Sequence, residues 1–221
     1  MPRALSLLQE GTRDLGLELG SRELELFRLY LAEIIRWRAK INITGFRTEE
    51  EIILKGFLDS LSCHKAIPMH PGLRVLDVGT GIGFPGFPLK IAFPFLDLTL
   101  IESSRKKVSF LKHVCRFLGI GDVKCLWVRA EDLLKREGYQ GRYDVVLSRA
   151  VSRLASIGPI CVPFLKKGGI LIAPKGPRVE KEIREARETL EGLGSWVKGV
   201  IRVSGFAPDV ERHIVVIERR T

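Results

Sequence analysis

Long apolar runs are missing from the sequence. No run of about eighteen apolar residues occurs in the sequence, so we expect no membrane-spanning helix. The first residues, Met-Pro-Arg-Ala-Leu-Ser, contain no long apolar core, so we expect no secretory signal peptide. Hydrophobic residues still make up 45% of the 221 residues, which is enough to build the core of a folded domain.

Cysteine is scarce, and its spacing does not indicate a metal site. The four cysteines form no C-x-x-C pair, and no cluster of histidines accompanies them. We therefore expect no metal site, and reduced thiols in the core of a cytoplasmic protein. These residues are Cys63, Cys115, Cys125 and Cys161.

Acidic residues are outnumbered by basic ones. The chain has 36 Lys and Arg against 26 Asp and Glu, giving a formal net charge of +10 and a pI of about 9.7. An excess of this size favours a polyanionic partner, with RNA or DNA as the first candidate, although a basic surface also improves solubility.

The order of apolar segments predicts an α/β fold with an N-terminal helical extension. Residues 1–72 are expected to be helical at 21–40, with Ser21 as N-cap, and at 48–57 and 58–67, where Thr48 and Glu51 have capping-box spacing. In residues 73–221 strands alternate with helices, which predicts a parallel sheet with right-handed crossovers. We expect both parts to form one compact unit. The predicted strands are Arg74–Val78, Leu96–Ile101, Lys124–Val128, Tyr143–Leu147 and Gly169–Ala173, and the helices between and after them are Pro85–Phe93, Arg105–Leu118, Leu154–Leu165 and Val179–Leu190.

The last two predicted strands differ from the rest because no helix separates them. They cover Val197–Val203 and His213–Glu218, and a short Gly-Phe-Ala-Pro segment lies between them. Strands joined by so short a connection should be antiparallel. The predicted sheet is therefore mostly parallel with an antiparallel C-terminal pair.

A glycine-rich stretch follows the first predicted strand and indicates a nucleotide-type site. Residues 75–86 read Val-Leu-Asp-Val-Gly-Thr-Gly-Ile-Gly-Phe-Pro-Gly. Glycines at alternate positions let the backbone turn sharply and approach a ligand closely. Pro85 fits the first turn of the next helix. Together, a strand, a glycine turn and a helix start form a pocket of the kind that binds nucleotides.

The loop allows more than one ligand. It matches the dinucleotide pattern G-x-G-x-x-G formally, which favours NAD. Two residues oppose that interpretation: Pro85 removes an N–H that a pyrophosphate would use, and the Asp77 carboxylate repels it. Asp77 instead suits a cation such as the sulfonium and ammonium of S-adenosylmethionine, and Asp-x-Gly-x-Gly-x-Gly resembles the cofactor loop of class I methyltransferases. A tight turn without a ligand is the third interpretation.

A second acidic residue supports a nucleoside ligand. Glu102 ends the next apolar strand, at about the distance from the glycine loop where an acid binds ribose hydroxyls. The alternative is a helix-capping acid, because Ser103 and Ser104 precede a basic helix.

Several short segments along the chain form a pattern of motifs. They are Ile41-Asn-Ile-Thr44, Leu58-Asp-Ser60, residues 77–88, Arg105–Leu111, Arg129-Ala-Glu131, Ser148-Arg-Ala150, Pro174-Lys-Gly176 and Glu211–Val216. The more specific among them are the extended loop Gly-Phe-Pro-Gly-Phe-Pro and the Ser-Arg-Ala motif. In order and spacing these segments resemble the bacterial glucose-inhibited division protein B family, whose members are 16S ribosomal RNA methyltransferases that modify N7 of a guanine in the decoding region. The resemblance runs from about Ile41 to Glu218.

The resemblance implies a Rossmann-like class I methyltransferase fold and S-adenosylmethionine as cofactor. It places Arg149, at the end of the fourth strand, near the cofactor and the target base, although a surface salt bridge is the alternative. Ala130 and Glu131 would meet the adenine, unless they only begin a helix. The cofactor-binding residues implied are Asp77, Gly79, Thr80, Gly81, Phe84, Glu102, Ser103, Ala130, Glu131 and Arg149.

N7 of guanine carries a lone pair and has no proton to lose, so its methylation needs neither a general base nor a metal. A base must be splayed out to be reached, which calls for stacking aromatics and phosphate-binding cations. Phe84 and Phe87 are the aromatic candidates. The expected RNA-binding residues are Lys55, Lys106, Lys107, Lys175, Arg178 and His213, each of which has a purely structural or solvated alternative.

One position departs from the family. Its members usually have a histidine two residues before Leu-Asp-Ser, where this chain has Gly56. Either Lys55 replaces that histidine in part, or this region is shifted relative to the family. We expect a monomer acting on 16S ribosomal RNA or the small ribosomal subunit. The competing functions are an NAD-dependent oxidoreductase and a non-catalytic RNA-binding module.

Overall fold

The structure is a computed structural model that describes residues 2–149, 153–204 and 212–220. Three predicted features fall outside these ranges: Ala150 of the Ser-Arg-Ala motif, the Gly-Phe-Ala-Pro segment at 205–208, and Glu211. Within the described residues, no helix is long and apolar enough to cross a bilayer.

The described residues form a seven-stranded sheet in the order β3-β2-β1-β4-β5-β7-β6. Strands β1 to β5 are mutually parallel, and β7 runs antiparallel to both β5 and β6. The predicted α/β sheet with an antiparallel C-terminal pair is therefore confirmed. The strands are β1 Arg74–Val78, β2 Asp97–Glu102, β3 Val123–Trp127, β4 Tyr143–Leu147, β5 Leu165–Lys175, β6 Ser195–Val203 and β7 Arg212–Arg219.

Helices lie before the sheet and between its strands. The predicted helix at 105–118 has the observed ends, and the others differ from the prediction at one or both ends. They are α1 Pro2–Asp14, α2 Ser21–Arg38, α3 Glu49–Glu51, α4 Asp59–Ser62, α5 Gly86–Ala92, α6 Arg105–Leu118, α7 Ala130–Leu133, α8 Leu154–Cys161 and α9 Val179–Gly192.

The N-terminal part departs from the prediction in three ways. Helix α1 was not predicted, and Gly11 in its last turn is a poor helix former. The glycine lies where α1 meets the Leu58 side chain, since a Cβ there would overlap a Leu58 methyl carbon. Gly20, not Ser21, is the N-cap of α2. The two helices expected at 48–57 and 58–67 form one helical segment, in which a π-helix at Ile52–Leu58 joins α3 to α4 and a 3₁₀ turn at Cys63–Ala66 ends it.

The Thr48 cap was predicted correctly. Its side chain accepts a hydrogen bond from the Glu51 backbone N–H at 3.0 Å. The Glu51 side chain reaches back to the backbone N–H of Arg47 at 2.7 Å, one residue earlier than a capping box requires.

One hydrophobic core joins the N-terminal helices to the sheet. Phe27 and Tyr30 of α2 contact Phe57 of the π-helix, with ring centroids 5.0 and 5.4 Å away. The hydroxyl of Tyr30 donates to the carbonyl of Ile82 in the glycine loop at 2.5 Å. The helical extension thus supports the loop directly.

All four cysteines are free thiols, as predicted, but only two of them lie in the core. Cys63 and Cys161 are buried, and burial raises the pKa of the Cys161 thiol to about 12. Cys115 and Cys125 are half-buried, and their sulfur atoms lie 3.6 Å apart.

Candidate active site

The glycine loop turns at the edge of the sheet where β1, β2 and β4 end. Gly79, Gly81 and Gly83 have φ angles of 68°, 64° and 108°, a region that favours glycine. A Cβ atom at Gly83 would meet the Tyr30 hydroxyl at 2.7 Å, so the loop touches the helical extension there. A Cβ at Gly81 would have nothing within 4 Å, so this side of the loop faces open space.

Asp77 lies under the loop and is fully buried. Its Oδ2 accepts hydrogen bonds from the Thr80 hydroxyl at 2.6 Å and from the Gly86 N–H at 2.8 Å, which ties β1 to the loop and to the start of α5. Its Oδ1 has no hydrogen-bond partner among the described residues. Burial raises the pKa of Asp77 to about 6, against the lowering effect of these two hydrogen bonds.

Glu102 supports the opposite side of the loop. One carboxylate oxygen accepts from the Gly81 N–H at 3.0 Å, and the other accepts from the Ser104 N–H at 2.8 Å. Ser104 is the N-cap of α6, so Glu102 does hold the start of that helix, as the capping alternative proposed. It also lies beside Gly81 at the end of β2, as ribose binding requires. The hydroxyl of Thr80 is directed to Asp77, so this side chain stabilises the loop.

The two aromatic residues expected to stack on RNA lie in the core. Phe87 is 0% exposed and packs edge-on against Tyr30, so the prediction that it contacts RNA is wrong. Phe84 is 4% exposed and contacts Tyr30 and Phe57, so the prediction that its ring stacks on RNA is wrong as well. A Cβ at Gly56 would lie 3.0 Å from the ring of Phe84, so the glycine at this position lets the ring approach the π-helix.

Arg149 is held inside the molecule and does not form a surface salt bridge. Its guanidinium donates to the Asp59 carboxylate at 3.0 Å and to the backbone carbonyl of Lys55 at 2.7 Å, and lies 5.2 Å from the centre of the Phe84 ring. Asp59 accepts from Arg212 at 2.6 Å through its other oxygen. The Asp59 side chain is 2% exposed and those of Arg149 and Arg212 are 15% and 28% exposed. A buried carboxylate of α4 therefore joins the ends of β4 and β7.

The remaining predicted residues are scattered along this face of the protein. Lys106 and Arg178 are exposed, whereas Lys107 is half-buried. The ammonium groups of Lys55 and Lys175 lie 3.1 Å from Glu51 and 3.2 Å from Glu182, so each already contacts a carboxylate. His213 is paired in the sheet with Lys175 and Arg202. Ala130 begins the short helix α7, Glu131 is exposed on it, and the exposed Ser103 follows Glu102.

Sequence reasoning missed Asp59, Arg212 and Tyr30. Asp59 belongs to the Leu-Asp-Ser segment, but its partners lie 90 and 153 positions away, and no local pattern links them. Tyr30 occurs in an ordinary amphipathic helix whose spacing indicates only burial.

Comparison with known proteins identifies relatives over almost the whole chain. A family model described as rRNA small subunit methyltransferase G matches residues 23–215. A protein named ribosomal RNA small subunit methyltransferase G from Clostridium botulinum (strain Loch Maree / Type A3) is 37% identical over 214 residues, covering 97% of this chain and 90% of its own. The protein of that name from Lachnoclostridium phytofermentans is 39% identical over 210 residues, covering 95% and 87%.

A solved structure shares the fold at low sequence identity. It is the TYW2 protein of M. jannaschii in complex with AdoMet, with a TM-score of 0.58 and 18% identity over 82% of this chain and 80% of that one.

Proposed function

This chain belongs to the rRNA small subunit methyltransferase G family, and we propose that it transfers a methyl group from S-adenosylmethionine to N7 of a guanine in 16S ribosomal RNA. Family membership removes the grounds for an NAD-dependent oxidoreductase and for a non-catalytic RNA-binding module. The structural observation that supports the proposal is the glycine loop, with the Asp77 carboxylate below it and the Glu102 carboxylate beside it.

The residues of the loop fit a cationic nucleoside. Asp77 contributes a buried carboxylate whose Oδ1 has no partner among the described residues, and a carboxylate there attracts a sulfonium or ammonium group. Gly81 leaves open space on the outer side of the loop. Glu102 lies next to Gly81 at 3.0 Å, where its carboxylate can also accept hydrogen bonds from ribose hydroxyls. Ser103, Ala130 and Glu131 follow β2 and β3 and are proposed to line the adenine side.

When bound, the cofactor would supply an electrophilic methyl group: the N7–C bond forms with the guanine lone pair as the S–C bond breaks, and S-adenosylhomocysteine would leave with the sulfur electron pair. The protein is then required to position the two reactants and exclude water, and no side chain has to move a proton. Arg149 fits the positioning role because Asp59, the Lys55 carbonyl and the Phe84 ring hold its guanidinium from three sides. We propose that it orients the target guanine. Lys55, Lys106, Lys107, Lys175, Arg178 and His213 stay proposals for RNA contacts.

The pH dependence of a single turnover tests this chemistry. With enzyme, cofactor and RNA already bound, the rate should be nearly constant from about pH 7 to 9, because no essential proton transfer titrates in that range. An arm with 16S RNA alone and an arm with assembled small subunits would identify the form of the substrate. A bell-shaped profile centred near neutrality in the active arm would contradict N7 as the target, because a nucleophile that loses a proton needs a base.

A further inference from the structure

A large aromatic side chain is exposed on β3, opposite the Glu102 that supports the glycine loop, and has no part in the function described so far. Trp127 ends β3, directly opposite Glu102 of β2, and is 57% exposed. Its indole N–H donates to the Ser103 carbonyl at 2.9 Å. The guanidinium carbon of Arg105 lies 5.5 Å from the centre of its ring. The indole is thus oriented by a hydrogen bond and by a cation while most of it stays in contact with solvent.

The helix next to this indole carries basic side chains and no acidic ones. Helix α6 contains no Asp or Glu, and its first turn carries Arg105, Lys106 and Lys107. Cations in the first turn oppose the helix dipole, so this arrangement costs stability. Further along the helix Lys112 and Arg116 are also exposed, and the cations extend over about 16 Å from Arg105 to Arg116. Because these cations do not stabilise the helix that carries them, a role in binding explains them better, and a row of cations is complementary to a polyanion.

We propose that Trp127, with Arg105, stacks on an unpaired base of the RNA substrate while the cations of α6 contact the phosphates that follow it. Aromatic faces beside a basic track are the means by which proteins hold single-stranded nucleic acid. This inference rests on the proposed function. It adds a stacking site on the β3 side of the cofactor loop, where a strand leading to the target guanine would pass.

The adenine of the cofactor is the other nucleobase near this position, but the charges favour RNA. S-adenosylmethionine has a net positive charge, and Arg105 covers part of the indole. The cationic cofactor gains no favourable charge interaction next to Arg105, whereas an RNA phosphate forms an ion pair with it.

Trp196 provides a matched control. It is 49% exposed and its indole N–H also has one partner, the Glu218 carboxylate at 3.1 Å. It lies at the start of β6, at the opposite edge of the sheet from the glycine loop, beside an acid instead of a cation. The variants Trp127→Leu and Trp196→Leu therefore remove indoles of similar exposure from different surroundings.

The test measures affinity for a single-stranded oligoribonucleotide of about twelve nucleotides and for its abasic counterpart, which keeps the phosphates. Trp127→Leu should weaken binding of the normal strand between about 5-fold and 100-fold and leave the abasic strand unaffected. Trp127→Phe, which keeps a ring but lacks the N–H, should retain most of the affinity. Trp196→Leu should change neither.

Three results would overturn the inference. They are an unchanged affinity in a folded Trp127→Leu variant, an equal loss in the Phe and Leu variants, and a loss confined to S-adenosylmethionine affinity measured by calorimetry. Methyl transfer from labelled cofactor to 16S RNA by the unmodified protein is measured in parallel. If that transfer occurs while Trp127→Leu binds RNA normally, only the stacking site is wrong; if it never occurs, the proposed function is wrong.

Discussion

Replacing Gly81 with valine should abolish binding of S-adenosylmethionine and leave the protein folded. The Gly81 backbone has φ 64°, so a branched side chain there costs roughly 1–3 kcal/mol of strain. No atom lies within 4 Å of the added Cβ, so no clash within the protein adds to that cost. For a chain of this size each kcal/mol lowers Tm by about 2–4 °C. The variant should therefore unfold cooperatively, with a Tm about 2–12 °C below that of the unmodified protein.

Ligand binding is measured as the rise in Tm that the cofactor causes, which separates it from the lower Tm of the variant itself. Cofactor at about 100 times its Kd adds roughly 2.7 kcal/mol to the stability of the unmodified protein, which raises Tm by about 5–10 °C. Gly81→Val should show no such rise and no heat of binding in a calorimetric titration, because the side chain occupies the space where the ligand approaches the backbone.

Gly119→Val is the matched control. Gly119 ends α6 with φ 63°, and a Cβ there also meets nothing within 4 Å, so the valine has the same strain away from the loop. This variant should be destabilised to a similar extent and should bind the cofactor normally. A folded Gly81→Val protein with unchanged affinity would show that the cofactor does not approach Gly81, and would refute the site.

Three further predictions follow from the charged groups. Burial raises the pKa of Asp77 from 3.8 to about 6, so between these pH values the folded protein keeps a proton that the unfolded chain has released. The free energy of unfolding of the ligand-free protein should therefore fall as the pH rises from about 3.8 to about 6 and level off above that. Thermal unfolding of Asp77→Asn should lack this pH-dependent contribution. Asp59→Asn leaves Arg149 and Arg212 without their buried carboxylate and should reduce the free energy of unfolding in guanidinium chloride by about 3 kcal/mol; a change near zero would contradict the geometry. RNA affinity should fall at least about tenfold between about 50 and 200 mM salt, and a flat dependence would mean that the +10 charge does not contact phosphates.

Local patterns were enough to predict the sheet and most of its helices. The strand at 74–78 and the helix at 105–118 have the predicted ends because burial periodicity and the following glycines are properties of short segments. The glycine loop was found for the same reason, since its φ angles require glycine.

Features that depend on distant contacts were not predictable in this way. Gly11 breaks the helical pattern of α1 and is there because Leu58 approaches it. Phe87 has the composition of a stacking residue, but the helical extension buries it against Tyr30. The pairing of Asp59 with Arg149 and Arg212 depends on how three elements meet, which neither spacing nor composition encodes.

The most direct test of the account is to identify the methylated atom. The purified protein is incubated with labelled S-adenosylmethionine and with 16S RNA or small subunits from cells that lack this gene, and the RNA is digested to nucleosides for mass spectrometry. We predict that the label appears in 7-methylguanosine at a single position and that Gly81→Val incorporates none. Label at an exocyclic amine or a ribose hydroxyl, or no label in RNA from a protein that binds the cofactor, would contradict the account.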